Sequence, residues 1–316
     1  MRQGQNPAKF ISHVARPQRV TVAVLSYVPF LAGFHRHSLE VLQACMESLW
    51  QHTDVEHDLL VFDNGSCQET VDYLRQAQAA GRIQFLLLSE KNLGKGGAWN
   101  VMLAAAPGEV IAYTDSDARF YPGWLSQSVQ LLETFPRVGM VTGRPFRTPP
   151  ELYQATVDWA QSDPEADVER GQFIPWPVFR EFDLSLGQEE SEIRQRFEST
   201  EDVRLTFRGR QAMAGASHYQ FVAYKQVLQQ FLPFEMDRPM GQVRDLDRRM
   251  DQAGYLRLMT VAPLMNNLSN TLKPIPQAGT IEPAERSLAR RVLENRWIKR
   301  GLLKIYDTIF RAYFNR

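Results

Sequence analysis

Five short apolar runs, each followed by polar residues and separated from the next by a helical stretch, limit what this chain can fold into. They cover residues 20–26, 58–63, 83–88, 110–114 and 138–142. Each is too short for a buried helix, and polar flanks favour a strand. Between them, residues 38–51 place Leu39, Leu42, Met46 and Leu49 on one helical face. Ser66-Cys-Gln-Glu69 has the spacing of a capping box and opens a helix through Val71, Leu74 and Ala77. A glycine-rich stretch, 92–97, leads into a helix ending near Pro107-Gly108, and residues 124–135 form another. Strands alternating with helices argue for an α/β fold, a Rossmann-like, mostly parallel sheet with helices on both faces. Ligands of such sheets bind beyond the carboxyl ends of the strands. Those ends carry Ser26-Tyr27, Asp63-Asn64, Ser89 and Asp115-Ser-Asp117.

Bulk properties narrow the class further. A chain of 316 residues suits one large domain or two intimate ones. Lys plus Arg equals Asp plus Glu at 36 each, so whole-chain charge offers no argument for nucleic acid. Cys45 and Cys67 lack metal-ligand spacing, and a reduced, cytoplasmic setting is the expectation. Residues 1–19 are polar and basic and do not read as a signal peptide. No apolar run reaches the roughly 18 residues of a membrane span.

The texture changes after Arg144-Pro145. Residues 145–212 are rich in Pro, Glu, Arg and aromatics, and read as loops and helices laid over the rim of the sheet. Residues 173–179 are apolar but hold two prolines, so they make a poor central strand. Residues 212–223 read as one strand and 240–253 as a helix stopped by Gly254. Residues 256–261 form the last strand. The expected organisation is a tail (1–19), a first half built on the parallel strands (20–143), a second half of the same domain (144–282) and a basic amphipathic helical tail (283–316).

Three constellations carry chemistry. Asp115-Ser-Asp117 follows an apolar strand, where two carboxylates can reach one cation; Mg²⁺ or Mn²⁺ prefers such oxygen ligands and shares them with phosphates. The bland alternative is a polar turn. Asp63 also ends a strand and can accept from a nucleobase N–H, or serve only as a turn former in Asp-Asn-Gly. Tyr27 can stack on a base or be a half-buried surface aromatic. Asn92-Leu-Gly-Lys-Gly-Gly-Ala-Trp-Asn100 combines glycines, a lysine and a helix start, which suits a phosphate cradle. Its glycine spacing matches neither a Walker loop nor a dinucleotide fingerprint, and it follows the third strand.

Together, in order and spacing, these segments resemble the family 2 glycosyltransferases of the GT-A fold: Ser26-Tyr27, Phe62-Asp-Asn-Gly-Ser66, residues 92–100 and Thr114-Asp-Ser-Asp117. The resemblance covers residues 20–143 well and the remainder more weakly. It implies a nucleotide-sugar donor held by Ser26, Tyr27, Asp63, Asn92, Gly94, Lys95, Asn100 and Asp115, with Asp63 on the base. It implies a metal held by Asp115 and Asp117, an inverting displacement, and a C-terminal part that binds a glycan or lipid-linked acceptor.

Two departures stand out. Counting back from Gly254-Tyr255, Gln242-Val243 occupy the place where the family has Glu-Asp, so the usual catalytic base is missing. Asp245 is the nearest substitute, Asp247 the next, and both can equally be solvated helix charges paired with Arg248 or Arg249. Asn267 stands where relatives place a metal-binding His, and its side-chain carbonyl can ligate a hard cation, though more weakly. His218 serves acceptor, metal or structure. Residues 284–316 hold nine basic residues against three acids, with Trp297, Tyr306, Phe310, Tyr313 and Phe314 between them. Such a helix lies on an anionic membrane surface, here the inner face, or docks on its own protein. The chain thus reads as a metal-dependent glycosyltransferase, with a sugar nucleotidyltransferase or a degenerate binding subunit as rivals.

Overall fold

In the first half, apolar runs become strands because both faces of the sheet are covered. The computed structural model describes residues 3–237, 241 and 243–272; the 283–316 tail and the start of the expected 240–253 helix lie outside them. In chain order, the first elements are β1 (Val20–Ser26), α1 (Ser38–His52), β2 (His57–Asn64), α2 (Gln68–Ala79), β3 (Phe85–Ser89), α3 (Gly94–Ala105), β4 (Val110–Asp115), β5 (Ala118–Phe120), α4 (Trp124–Thr134) and β6 (Val138–Thr142). There follow α5 (Gln154–Ser162), β7 (Ala166–Gly171), α6 (Trp176–Ser185), α7 (Glu190–Ser199), β8 (Asp202–Phe207), β9 (Arg210–Ala214), β10 (Gln220–Tyr224), α8 (Lys225–Gln229), α9 (Arg244–Gln252), β11 (Leu256–Met259) and β12 (Met265–Asn267).

One sheet runs in the order β3-β2-β1-β4-β10-β6-β11-β9-β8-β7. Strands β1 to β4 are mutually parallel, as are β6 and β11, while β10 runs antiparallel between β4 and β6. The expected parallel core is therefore present, with one reversed strand in it. Alternate side chains divide between two layers. Val20, Val22, Val24, Leu59 and Val61 face a layer built from α1, α2, α4 and α5. Ala23, Leu25, Leu60, Phe62 and Tyr113 face Trp99 and Met102 of α3, Leu228 of α8 and Leu246 of α9. Trp99, Tyr113, Phe221 and Phe234 pack ring on ring, with the Trp99 centroid 4.9 Å from Tyr113 and 5.5 Å from Phe234. Helices thus cover both faces.

The second half departs from the sequence reading in three places. Residues 145–212 are not only loops and helices: β7, β8 and β9 extend the sheet as an antiparallel meander, with α6 and α7 over it. The run 212–223 is two strands with different partners. Strand β9 ends at Ala214, Gly215 follows at φ +120°, and β10 starts at Gln220. Third, the three-residue strands β5 and β12 form a separate ribbon, pairing Ala118 with Asn267. Residues 173–179 are not a strand, as their prolines predict; Pro175 caps α6. The capping box at Ser66 does not form either. Cys67 is the cap residue, and Ser66 Oγ instead accepts the Val28 N–H at 2.9 Å, tying β2 to the segment after β1.

The entry to β4 is tightly closed. Gly108 N–H donates to Thr21 Oγ1 at 2.9 Å, and a Cβ at Gly108 would lie 2.7 Å from the Arg19 carbonyl oxygen and 2.8 Å from the Thr21 nitrogen. Backbone cannot give way as a flexible side chain does. Gly108→Ala is therefore expected to cost about 1–3 kcal/mol, read as a lower urea midpoint at unchanged slope. An unaltered midpoint would show that β1 and β4 separate there without cost.

Candidate active site

Three neighbouring strands deliver their polar ends to one rim. Ser26 of β1 is in register with Asp63 of β2, and Leu25 is in register with Asp115 of β4. Asp63 and Asp115 thus flank β1, one register step apart. Asp63 is 1% exposed. Its Oδ2 accepts the Ser66 N–H at 3.0 Å, while its Oδ1 and the Ser26 hydroxyl are both buried without a partner of hydrogen-bonding geometry. Burial pushes the Asp63 carboxyl above the usual carboxylate range, against the opposing pull of the Ser66 side chain and N–H, the Gly65 N–H and the adjacent Ser26 hydroxyl. A buried acceptor atom without a donor costs free energy unless a ligand supplies one. Tyr27 is half-buried beside it, edge-on to His35 at 6.4 Å between centroids.

The glycine-rich segment is built onto the same rim. Asn92 Oδ1 accepts from Gly94 N at 2.8 Å and from Asn64 Nδ2 at 3.0 Å, and Asn64 Oδ1 accepts from Leu93 N at 2.9 Å. Gly94 starts α3 with φ +68°, a conformation that glycine adopts without a Cβ penalty. The next residue, Lys95, reaches across to Asp115 Oδ2 at 2.6 Å. Its ammonium also sits 5.7 Å from the ring centres of Trp99 and Tyr113. Asp115 Oδ1 receives the Tyr113 hydroxyl, so both oxygens of Asp115 have protein partners.

Asp117 is different. It is half-buried, and among the described residues no side chain bonds its carboxylate. Its backbone carbonyl accepts the Leu268 N–H at 2.6 Å, which holds the β12 end against it. Burial, and then repulsion from Asp115, push the Asp117 carboxyl up to about 7, with Lys95 opposing. Asn267 lies across the ribbon from Ala118 and so next to Asp117. Its Oδ1 accepts the Ser269 N–H at 3.1 Å and its Nδ2 donates to Ser185 at 3.2 Å. Asp115 and Asp117 are hard oxygen donors suited to Mg²⁺ or Mn²⁺. Among the described residues no third His, Cys, Asp or Glu joins them, so a cation there would complete its shell from a ligand such as a diphosphate.

The remaining candidates separate. Asn100 does not open on the rim: its Nδ2 donates to the Phe234 carbonyl at 2.8 Å and its Oδ1 accepts the Phe234 N–H at 2.7 Å. Asp245 lies on the exposed side of α9, paired with Arg248 at 2.9 Å. Asp247, two residues on and 5% exposed, faces inward and meets His218 Nδ1 at 2.6 Å and Arg257 Nη2 at 2.6 Å. The loop carrying His218 belongs to the rim, because Tyr219 O accepts the Asp115 N–H at 2.9 Å. Sequence reasoning missed Arg257 and a second network, in which buried Arg144 joins Asn266 at 3.0 Å and Glu181 at 3.5 Å, with Asn266 also reaching Tyr121. An arginine between Leu256 and Leu258 in an apolar strand was the available signal, since a charge is buried only with partners.

Residues 34–180 match the profile of glycosyl transferase family 2. By that profile the segment is similar to family 2 glycosyltransferase domains. It spans β2, α3 and the Asp115-Ser-Asp117 turn. A glycosyltransferase of Nostoc sp. is 33% identical over 90 residues, which are 28% of this chain and 27% of that protein. The chain thus spans about a quarter of that curated relative. Among solved structures, a mannosyltransferase from Pyrobaculum calidifontis in complex with GDP-Man and Mn²⁺ is 18% identical, with a TM-score of 0.47 over 84% of this chain and 59% of its own. TarS from S. aureus, residues 1–349, is 13% identical, with a TM-score of 0.45 over 77% and 58% respectively.

Asn100 allows the rim to be tested against its scaffold. Asn100→Ala removes two hydrogen bonds to Phe234 and is expected to lower stability by about 1–3 kcal/mol, in chemical denaturation. Nucleotide affinity by calorimetry should stay within about twofold, since the amide is already engaged. A large loss of affinity at unchanged stability would return Asn100 to the ligand-binding set.

Proposed function

We propose that this chain transfers a sugar from a nucleotide-sugar donor to a hydroxyl acceptor, with inversion. The observation that carries the reading is the buried Asp63 Oδ1, without a partner of hydrogen-bonding geometry, on the same rim as the open Asp117 carboxylate, with the α3 start tied to Asn64 through Asn92 and to Asp115 through Lys95. Asp63 Oδ1 would accept from a base N–H, and Ser26 and Tyr27 would line that side. The α3 start and Lys95 would face the diphosphate, as helix N-termini and ammonium groups favour anions. Asp117, with Asp115 beside it, would hold Mn²⁺ or Mg²⁺; when bound, such a cation neutralises charge on the departing diphosphate. Asn267 would steady Asp117 from the ribbon. A nucleotidyltransferase would want its glycine- and lysine-rich loop after β1, where this chain has Val28-Pro-Phe30.

The pH dependence follows from Asp117. Its carboxyl, pushed up to about 7, is protonated below that pH and ionised above it. Only the ionised form ligates a cation, so Mn²⁺-dependent nucleotide affinity should rise between pH 6 and pH 8. Asp117→Asn should reduce Mn²⁺-dependent affinity by about tenfold or more and flatten that rise, with the melting temperature retained. Calorimetry with UDP and GDP, each with and without Mn²⁺, reads both quantities. Unchanged affinity in the variant would overturn the metal assignment. A wild type that binds nucleotide yet turns over no donor would favour a binding subunit.

The lipid-linked acceptor rests on the tail. Nine basic residues against three acids leave an excess of +6 over residues 284–316. Each Lys or Arg near an anionic surface contributes on the order of 1 kcal/mol, and Trp and Tyr suit the headgroup boundary. Among the described residues no helix is long and apolar enough to cross a membrane, so attachment would be peripheral. Full-length protein should float with anionic vesicles at low salt and lose that association at high salt or on removal of residues 284–316. A full-length chain that stays unbound at low salt would contradict it.

A further inference from the structure

The family's Glu-Asp position is Gln242-Val243 here, and Asp245 is paired on the exposed face. What the rim holds instead is a relay of three charged or polar side chains graded by burial. Arg257 is 0% exposed; its Nη2 donates to the Ala216 carbonyl and to Asp247 Oδ1, each at 2.6 Å, and its Nη1 donates to the Leu152 carbonyl. Its position is over-determined, because three separate segments accept from it. The Asp247 carboxylate is thereby fixed. Its second oxygen, Oδ2, accepts from His218 Nδ1 at 2.6 Å. An ionised carboxylate oxygen can only accept, so in the neutral ring this bond places the proton on Nδ1 and the lone pair on Nε2. His218 is 23% exposed, and among the described residues Nε2 has no partner.

We propose that His218 is the general base toward the acceptor hydroxyl, and that Asp247, clamped by Arg257, is its positioning residue. The proposal rests on the sugar-transfer reading. Its location supports the role: the next residue, Tyr219, bonds through its carbonyl to the Asp115 N–H, placing the imidazole beside the rim that holds the donor groups. In the step itself, the acceptor O–H proton moves to Nε2. The freed oxygen pair forms a bond to the anomeric carbon, and the bond from that carbon to the diphosphate oxygen breaks with its pair retained on the diphosphate. The imidazolium so formed is balanced by Asp247, and the proton leaves to solvent after the product. The adjacent buried pair lets the charge develop against a fixed partner, with no water reorganisation. A purely structural histidine would need neither a solvent-reachable ring with one nitrogen unpartnered nor a carboxylate braced by a buried arginine.

Four measurements test this on the full chain. Donor turnover is followed as nucleoside diphosphate released from UDP-glucose, UDP-N-acetylglucosamine and GDP-mannose with Mn²⁺, with water as acceptor. His218→Gln should lower kcat roughly a hundredfold or more and leave the affinity for UDP or GDP unchanged. In His218→Ala, added imidazole should restore part of the lost rate, which a structural role would not allow. Asp247→Asn should lower kcat with KM unchanged. Because that variant leaves Arg257 without its carboxylate, ¹⁵N NMR of the wild-type imidazole provides a check that needs no substitution: neutral His218 should carry its proton on Nδ1. The proposal is overturned by near-normal turnover in His218→Gln, by no imidazole rescue, or by a proton on Nε2. A wild type that turns over none of the three donors and binds neither nucleotide overturns the sugar-transfer reading together with it. An active wild type with an active His218→Gln variant overturns the base assignment alone.

Discussion

The pair between Lys95 and Asp115 is the contact around which the rim is organised. It joins the first turn of α3 to the end of β4 at 2.6 Å, and Tyr113 fills the other Asp115 oxygen. The Asp115 backbone N–H holds the loop before β10 through Tyr219. One residue thereby connects a helix start, a central parallel strand and the reversed strand. With both Asp115 oxygens engaged, Asp117 is the carboxylate left open. Burial, and then repulsion by Asp115, explain why its acidity is weakened. The arrangement resembles a preorganised electrostatic site, in which charges are fixed before a ligand arrives.

A second constraint is the reversal of β10. Because it runs antiparallel between β4 and β6, it starts at the rim where its neighbours end. The loop 215–219 is therefore delivered to the ligand side, and His218 comes with it. Helix α9 and strand β11 supply Asp247 and Arg257 from the other direction. On the proposed reading, the donor side would be made by the parallel half and the dyad by the reversed strand and its supports. This division of labour suits a transferase, where one substrate is held rigidly by the scaffold and the second approaches a separate wall.

The parallel half was legible in the sequence because strands buried on both faces must be continuous apolar runs. Residues 20–26 and 138–142 match β1 and β6 to the residue. Where burial weakens, legibility fails. Strand β3 lies at the sheet edge with Phe85 and Leu88 exposed, and its expected start was two residues early. Strands β7 and β8 are partly exposed and rich in charge, so Glu169 and Arg204 pair across the meander in a segment whose composition reads as loop. The run 212–223 hid a change of partner, for which Gly215 was the signal. Strands β5 and β12 are three residues each, too short for any periodicity.

The site divides in the same way. Carboxylates at strand ends are readable by position, because topology sends every such end to one rim. Partners contributed by distant segments are not: that Asn100 holds Phe234, or that Asp247 turns inward while Asp245 turns out, depends on how α9 is rotated against the sheet. The central claim is that a nucleotide sits with its base on Asp63 and its diphosphate toward Asp117. A crystal structure with a nucleoside diphosphate and Mn²⁺ tests it most directly. The account requires a base N–H within hydrogen-bonding distance of Asp63 Oδ1 and manganese density on Asp117. A nucleotide bound elsewhere, with Asp63 Oδ1 still unpartnered, would contradict it.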